Sequence, residues 1–275
     1  MDYMEERIAK LKQLDNKGID EFVKHYQAIL SSHENLSSKP IGANCLCGGV
    51  RIGGVKSSER NFLTQSSVIA LASSWDMIYC TTGDMSNAYR MIIEELQNKD
   101  DINFFDATKL VYETTQKYFG DTSKFDTRME YFPDEDEIAF DGKERGKISN
   151  LEGKNAAACV ERAALSHNLM KMLGIDSTYK ISGILDGEKK DAHAYNLVKY
   201  NGKAYIFDST IPRGKENDEV TPLITEIPEE AYEKMRSDES RVGYSVHVEY
   251  YSPLSHRNRS ITYDAGHMQE KDLYR

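Results

Sequence analysis

The dipeptide Asn201-Gly202, set between HAYNLVKY and KAYIFDST, constrains this chain more than any other feature. Both residues accept positive φ, so a type I′ turn between two strand-like runs is the expected local structure. With those two residues as the loop, Tyr200 faces Lys203, Tyr195 faces Asp208 and His193 faces Thr210. Opposed residues share a face and side chains alternate along each strand, so His193 and Asp208 become diagonal neighbours on one face. A one-residue slip would send Asp208 to the opposite face. The turn chemistry therefore predicts a His–Asp pair.

A helix is expected upstream, in NAAACVERAALSHNLMKMLGI. Leu165, Leu169, Met172 and Leu173 fall on one stripe at helical spacing, and Gly174-Ile175 is a left-handed stop. Asn155 is the expected N-cap, which places Cys159 near the helix start. Free backbone N–H groups and the positive end of the helix dipole favour a thiolate there. A strand, TYKISGI, joins this helix to the hairpin. A cysteine, a histidine to take its proton and a carboxylate to orient that histidine form the general arrangement for nucleophilic attack on a carbonyl. Taken singly, each residue has a plainer role: Cys159 as a small buried group, His193 as a structural histidine, Asp208 as the start of a turn at Ser209-Thr210. Their joint placement favours chemistry.

The order Cys159-x-x-x-Ala163 opening a helix that ends in Leu173-Gly174-Ile175, then His193-Ala194-Tyr195 and Phe207-Asp208-Ser209-Thr210, resembles the transglutaminase-like superfamily. The resemblance covers about residues 105 to 215. It implies a helix that begins with the nucleophile and packs on an antiparallel sheet, with the histidine and aspartate on adjacent strands, in a circularly rearranged relative of the papain-type fold. This chain has Ala158 where many members have Gly, and Tyr195 where many have Trp.

The chain has 275 residues, a formal net charge of −10, 39% hydrophobic and 29% charged residues, enough for one sizeable core and too charged for a membrane protein. The acidic balance argues against a nucleic-acid partner. MDYMEERIAKLKQLD has no apolar signal core, so a Sec-type export signal is not expected; cytoplasm is the default compartment, with export lacking an N-terminal signal left open. Cysteines at 45, 47, 80 and 159 do not resemble a disulfide framework. Cys45-x-Cys47 lacks zinc-knuckle spacing, and Gly48, Gly49, Gly53 and Gly54 lack the Lys-Ser or Lys-Thr of a phosphate loop. No metal or cofactor is called for.

Two amphipathic helices are expected at Met4–Leu14 and Ile19–Leu30, broken near Lys17-Gly18, followed by a linker from Ser31 to Lys39. Val68, Leu71, Ala72, Trp75 and Ile78 suggest a helix within 61–79, and further helices are expected at 86–98 and 107–119, the latter capped by Asp106. Residues 121–153, with Asp134–Glu137, read as a solvated loop. A charged loop at 214–220, a short helix at 229–235, a strand at 244–251 suited to a sheet edge, and a frayed tail complete the chain. His167, His247, His256 and His267 have no partner spacing.

The resulting expectation is an α+β fold with a transglutaminase-like (papain-like) core at 101–264, a helical N-terminal accessory region at 1–100 and a flexible tail at 265–275. The expected activity is thiol-dependent acyl transfer on peptide or protein amides by Cys159, His193 and Asp208, most readily hydrolytic. Amine transfer of the transglutaminase type, small-molecule acyl transfer of the arylamine type and a non-catalytic binding module that kept the fold are the alternatives. The stripes of the N-terminal helices read first as core packing, with a docking surface for a protein partner as the alternative.

Overall fold

The computed structural model describes residues 3–32, 51–52, 69–73, 76–80, 83–131, 147–186, 189–214, 220–236 and 245–264. Helices α1 (Tyr3–Lys12), α2 (Asn16–Ser32), α3 (Ser86–Gln97) and α4 (Phe104–Phe119) precede α5 (Cys159–Met172). Short strands β1 (Arg51–Ile52), β2 (Ile69–Ser73) and β3 (Asp76–Cys80) form a separate antiparallel sheet. The main sheet contains β4 (Asp176–Asp186), β5 (Lys189–Tyr200), β6 (Lys203–Arg213), β7 (Thr221–Ile227), β8 (Ser245–Ser252) and β9 (Arg257–Asp264), with α6 (Glu229–Arg236) between β7 and β8. Its order is β7-β6-β5-β4-β9-β8 and every pairing is antiparallel. The Gly214 N–H donates to Tyr251 O at 3.2 Å, which ties the end of β6 to β8 and curls the sheet toward a barrel. The protein is thus α+β, with β8 at a sheet edge as its alternating pattern predicts.

Both faces of this sheet are covered, because successive strand residues point to opposite sides. Ala194, Val198, Tyr205 and Phe207 join α1–α5 in one buried cluster. Tyr195, Leu197, Ala204 and Ile206 join α6 and the β8–β9 hairpin in a second. Helix α5 lies between the other helices and β4–β6 and is buried on nearly every side, as expected of a helix enclosed by a core rather than resting on its surface. Its polar residues are accordingly bonded: Ser166 to Thr115 at 3.1 Å, and His167 Nδ1 to Ser177 at 3.1 Å. The N-terminal stripes face inward. Met4, Ile8 and Leu11 of α1 and Ile19, Val23, Tyr26 and Leu30 of α2 share the cluster of α5. Arg7 Nε donates to Met172 O at 3.1 Å and Tyr26 OH to Asn168 O at 2.8 Å.

Several local expectations are corrected. The described parts of 61–79 form β2 and β3, not a helix, with Ile69 opposite Cys80 and Ser73 opposite Asp76. Serine and aspartate side chains compete for helix backbone groups and favour turns, and Ile78-Tyr79 suits a strand. Gly18 lies inside α2, and the break falls at residues 13–15, where Asp15 Oδ1 accepts the Gly18 N–H at 2.7 Å. Asn103, not Asp106, caps α4: Asn103 Oδ1 accepts the Phe105 and Asp106 N–H groups, and Asp106 returns the bond to Asn103 N–H, a capping box. Residues 125–131 and 148–151 are 3₁₀ turns within the expected loop. Cys45, Cys47, the glycines at 48, 49, 53 and 54, Trp75, Asp134–Glu137 and the tail at 265–275 lie outside the described residues.

Candidate active site

The Asn201-Gly202 turn forms as its chemistry requires, with φ of 47° and 73°. Tyr200 pairs with Lys203, and the ladder continues in the expected register to Asn196 opposite Phe207. Phe104 stacks on Tyr200 with ring centroids 4.4 Å apart, fastening the hairpin tip to the start of α4. The ladder then stops: Tyr195 does not pair with Asp208, nor His193 with Thr210. At this point Asp208 Oδ1 accepts the N–H groups of Thr210 at 2.9 Å and Ile211 at 3.3 Å, and β6 shifts register against β7 between Asp208 and Pro212. Asp208 therefore starts a turn and also serves His193, because its second oxygen, Oδ2, lies 2.6 Å from His193 Nε2. The predicted diagonal pair is present, at the point where β5 and β6 part.

Cys159 is the first residue of α5, and Ala158 is the N-cap. Asn155 does not cap this helix: it adopts φ of 58°, its N–H donates to Phe119 O, and its Oδ1 accepts the Asp121 N–H at 3.1 Å. Alanine offers no side-chain acceptor, and the cap is made in reverse, by Glu161 Oε2 accepting the Ala158 N–H at 2.7 Å. Arg162, 1% exposed, holds the approach to the helix. It donates to Ala157 O at 3.1 Å, Gly120 O at 2.6 Å, Asp121 O at 3.0 Å and Gln116 Oε1 at 2.5 Å. Gln116 in turn donates to Ser209 O at 2.7 Å, beside Asp208. One buried guanidinium thus joins the backbone ahead of Cys159 to the strand carrying Asp208. At its far end α5 stops as predicted: Gly174 has φ of 83°, Ile175 N–H bonds Met170 O, and Gly174 N–H bonds Lys171 O, a Schellman ending.

The three candidate residues meet. His193 is hydrogen-bonded to Asp208 and lies within electrostatic reach of the half-buried Cys159. An ionised carboxylate only accepts, so Nε2 carries the proton toward Asp208 and Nδ1 is left as the nitrogen that can take the thiol proton. Burial works to push the imidazole down, but the Asp208 charge, the Cys159 group and the bond to Asp208 outweigh it and hold His193 well above its ordinary value. For Asp208, burial works upward, yet the His193 charge and the bonds from His193, Tyr263 and Thr210 N–H keep it below the usual aspartate value. This is an imidazolium-stabilising pair with a thiol against it.

Sequence reasoning overlooked four supporting residues: Glu161, Arg162, Gln116 and Tyr263. A glutamate three places after the N-cap, and an arginine beside Ala163-Ala164-Leu165, were signals of the first two. Gln116 and Tyr263 come from α4 and β9, and their contacts depend on tertiary placement. His167 Nδ1 bonds Ser177, and His247 bonds Thr262 through Nδ1 with its Nε2 4.0 Å from Glu249. Among the described residues no group of three or more His, Cys, Asp or Glu is arranged to hold a metal ion, and no helix is long and apolar enough to cross a membrane. No family model matches the chain, and neither a curated protein nor a solved structure matches it.

Proposed function

We propose that this protein is a transglutaminase-like, thiol-dependent acyl-transfer enzyme that hydrolyses peptide or protein amides through Cys159, His193 and Asp208. The observation that carries the proposal is the buried His193, bonded to Asp208 at 2.6 Å and coupled electrostatically to the thiol that opens α5. In this mechanism the Cys159 sulfur attacks the amide carbon while His193 Nδ1 holds the thiol proton. The tetrahedral oxyanion is stabilised by the backbone N–H of Cys159, which, as the first residue of a helix, has no intrahelical acceptor. Collapse breaks the C–N bond as His193 protonates the leaving amine, giving a thioester. Water then attacks with His193 as base, the C–S bond breaks, and the thiol and a carboxylic acid are released. Asp208 orients the imidazole and does not take its proton.

The test is acylation by p-nitrophenyl acetate, followed by release of p-nitrophenolate and by peptide mass mapping. A stoichiometric burst with acetyl on Cys159, slowed about a hundredfold in His193→Ala, is expected. Acetylation spread over lysines, or equal in His193→Ala, would overturn the proposal. Adding a primary amine to the acylated protein separates hydrolysis from amine transfer by the product formed.

A further inference from the structure

We propose that Tyr263 is the positioning residue of this site, holding Asp208 in the orientation that presents Oδ2 to His193. The assignment rests on the acyl-transfer reading for its purpose, though not for its geometry. Tyr263 sits near the end of β9 and is fully buried, and its OH donates to Asp208 Oδ2 at 2.7 Å. That oxygen is the same one that receives His193 Nε2 at 2.6 Å. The other oxygen is committed to the Thr210 and Ile211 N–H groups. Four donors thus surround one carboxylate, and the two on Oδ2 come from strands on either side of β4.

The ring is fixed independently of its hydroxyl. It packs edge-on against Tyr195 at 4.8 Å between centroids and lies 6.4 Å from the His193 ring, and β9 is pinned to β4 by Ile184 opposite Tyr263. A phenyl ring at 263 would leave Oδ2 with one partner, so that its presentation to His193 would rest on the Thr210 and Ile211 bonds to Oδ1 alone. A hydrogen bond to a charged acceptor in a dry site is among the stronger ones and is directional. The Asp208 charge also acts on Tyr112 of α4 and Tyr250 of β8, both raised chiefly by burial. Neither is bonded to the carboxylate in the way Tyr263 is.

The experiment uses the full chain with ¹⁵N-labelled histidine. In the native protein the His193 Nε2–H proton is expected far downfield and slow to exchange with water. Tyr263→Phe keeps the ring and removes only the donor; it should speed that exchange about tenfold and move the resonance. Placing 3-fluorotyrosine at 263, which keeps ring and hydroxyl but strengthens the donor, should move the resonance the other way. Unchanged shift and exchange in either variant would overturn the assignment. Iodoacetamide labelling of Cys159 in native protein and His193→Ala is read alongside. Labelling indifferent to His193, together with the expected resonance shifts, refutes acyl transfer while leaving Tyr263 as the anchor of Asp208.

Discussion

The two halves of the site are built by different means. The His193–Asp208 half lies on one hairpin, where fifteen residues separate the partners and a two-residue turn sets which side chains share a face. The Cys159 half depends on distant chain. Arg162 reaches back to Gly120 and Asp121, Gln116 reaches across to Ser209, and Asn155 is held by Phe119 and Asp121. A turn type is encoded in two residues, whereas a helix start placed against a strand needs packing from several elements. The first half should therefore tolerate changes that disrupt the second.

Replacing Arg162 with methionine is the strongest way to test that contrast. It leaves the carbonyls of Ala157, Gly120 and Asp121 and a glutamine oxygen without this donor, and a loss of about 3 kcal/mol or more is expected in urea unfolding. In the folded fraction the His193 Nε2–H resonance should persist while iodoacetamide labelling of Cys159 changes. Loss of both together would show that the halves are not separable.

The pH dependence sharpens the hairpin side. Asp208 is held below its unfolded value, so its stabilisation is present above about pH 4 and is lost as pH falls through its folded pKa. His193 is held well above its unfolded value, so its stabilisation is complete below about pH 6.5 and is lost as pH rises through its folded pKa. The difference in melting temperature between native protein and His193→Gln should be largest between about pH 4 and 6.5 and shrink on the alkaline side. A difference that grows above neutral pH would mean that His193 is buried neutral.

A smaller effect probes the helix end. Gly174 sits at φ of 83° with its absent Cβ facing the Tyr3 ring at 2.9 Å. Gly174→Ala should cost about 1 kcal/mol from the backbone conformation, with any further loss reporting the clash with α1. The chevron or melting curve of this variant, with Tyr3→Ala added, separates the two.

What was legible in the sequence follows the same division. The turn, its register as far as Asn196 and Phe207, the His–Asp pair and the Gly174 stop all follow from short segments with strong conformational preferences. The register shift of β6 against β7 was not legible, because there Asp208 diverts the Thr210 and Ile211 N–H groups with a side-chain oxygen. Asn155 looked like a cap because asparagine is a good one, but its oxygen is used by Asp121 N–H and Glu161 supplies the cap from within the helix. Strands β7 and β9 were not foreseen. Short segments such as TPLITEI and RNRSITYD carry weak local signals, and their pairing with β6 and β4 decides them. Tyr263 was hidden for that reason.

The central claim is that His193, set by Asp208, activates Cys159. The most direct test is the rate of iodoacetamide alkylation at Cys159 near pH 6.5, mapped by peptide mass, in native protein and in His193→Ala with folding checked by circular dichroism. Rapid alkylation that falls about tenfold or more in the variant is the expected result. Equal rates in the two proteins, or a Cys159 protected in both, would contradict it and leave the trio as a structural cluster at the start of a buried helix.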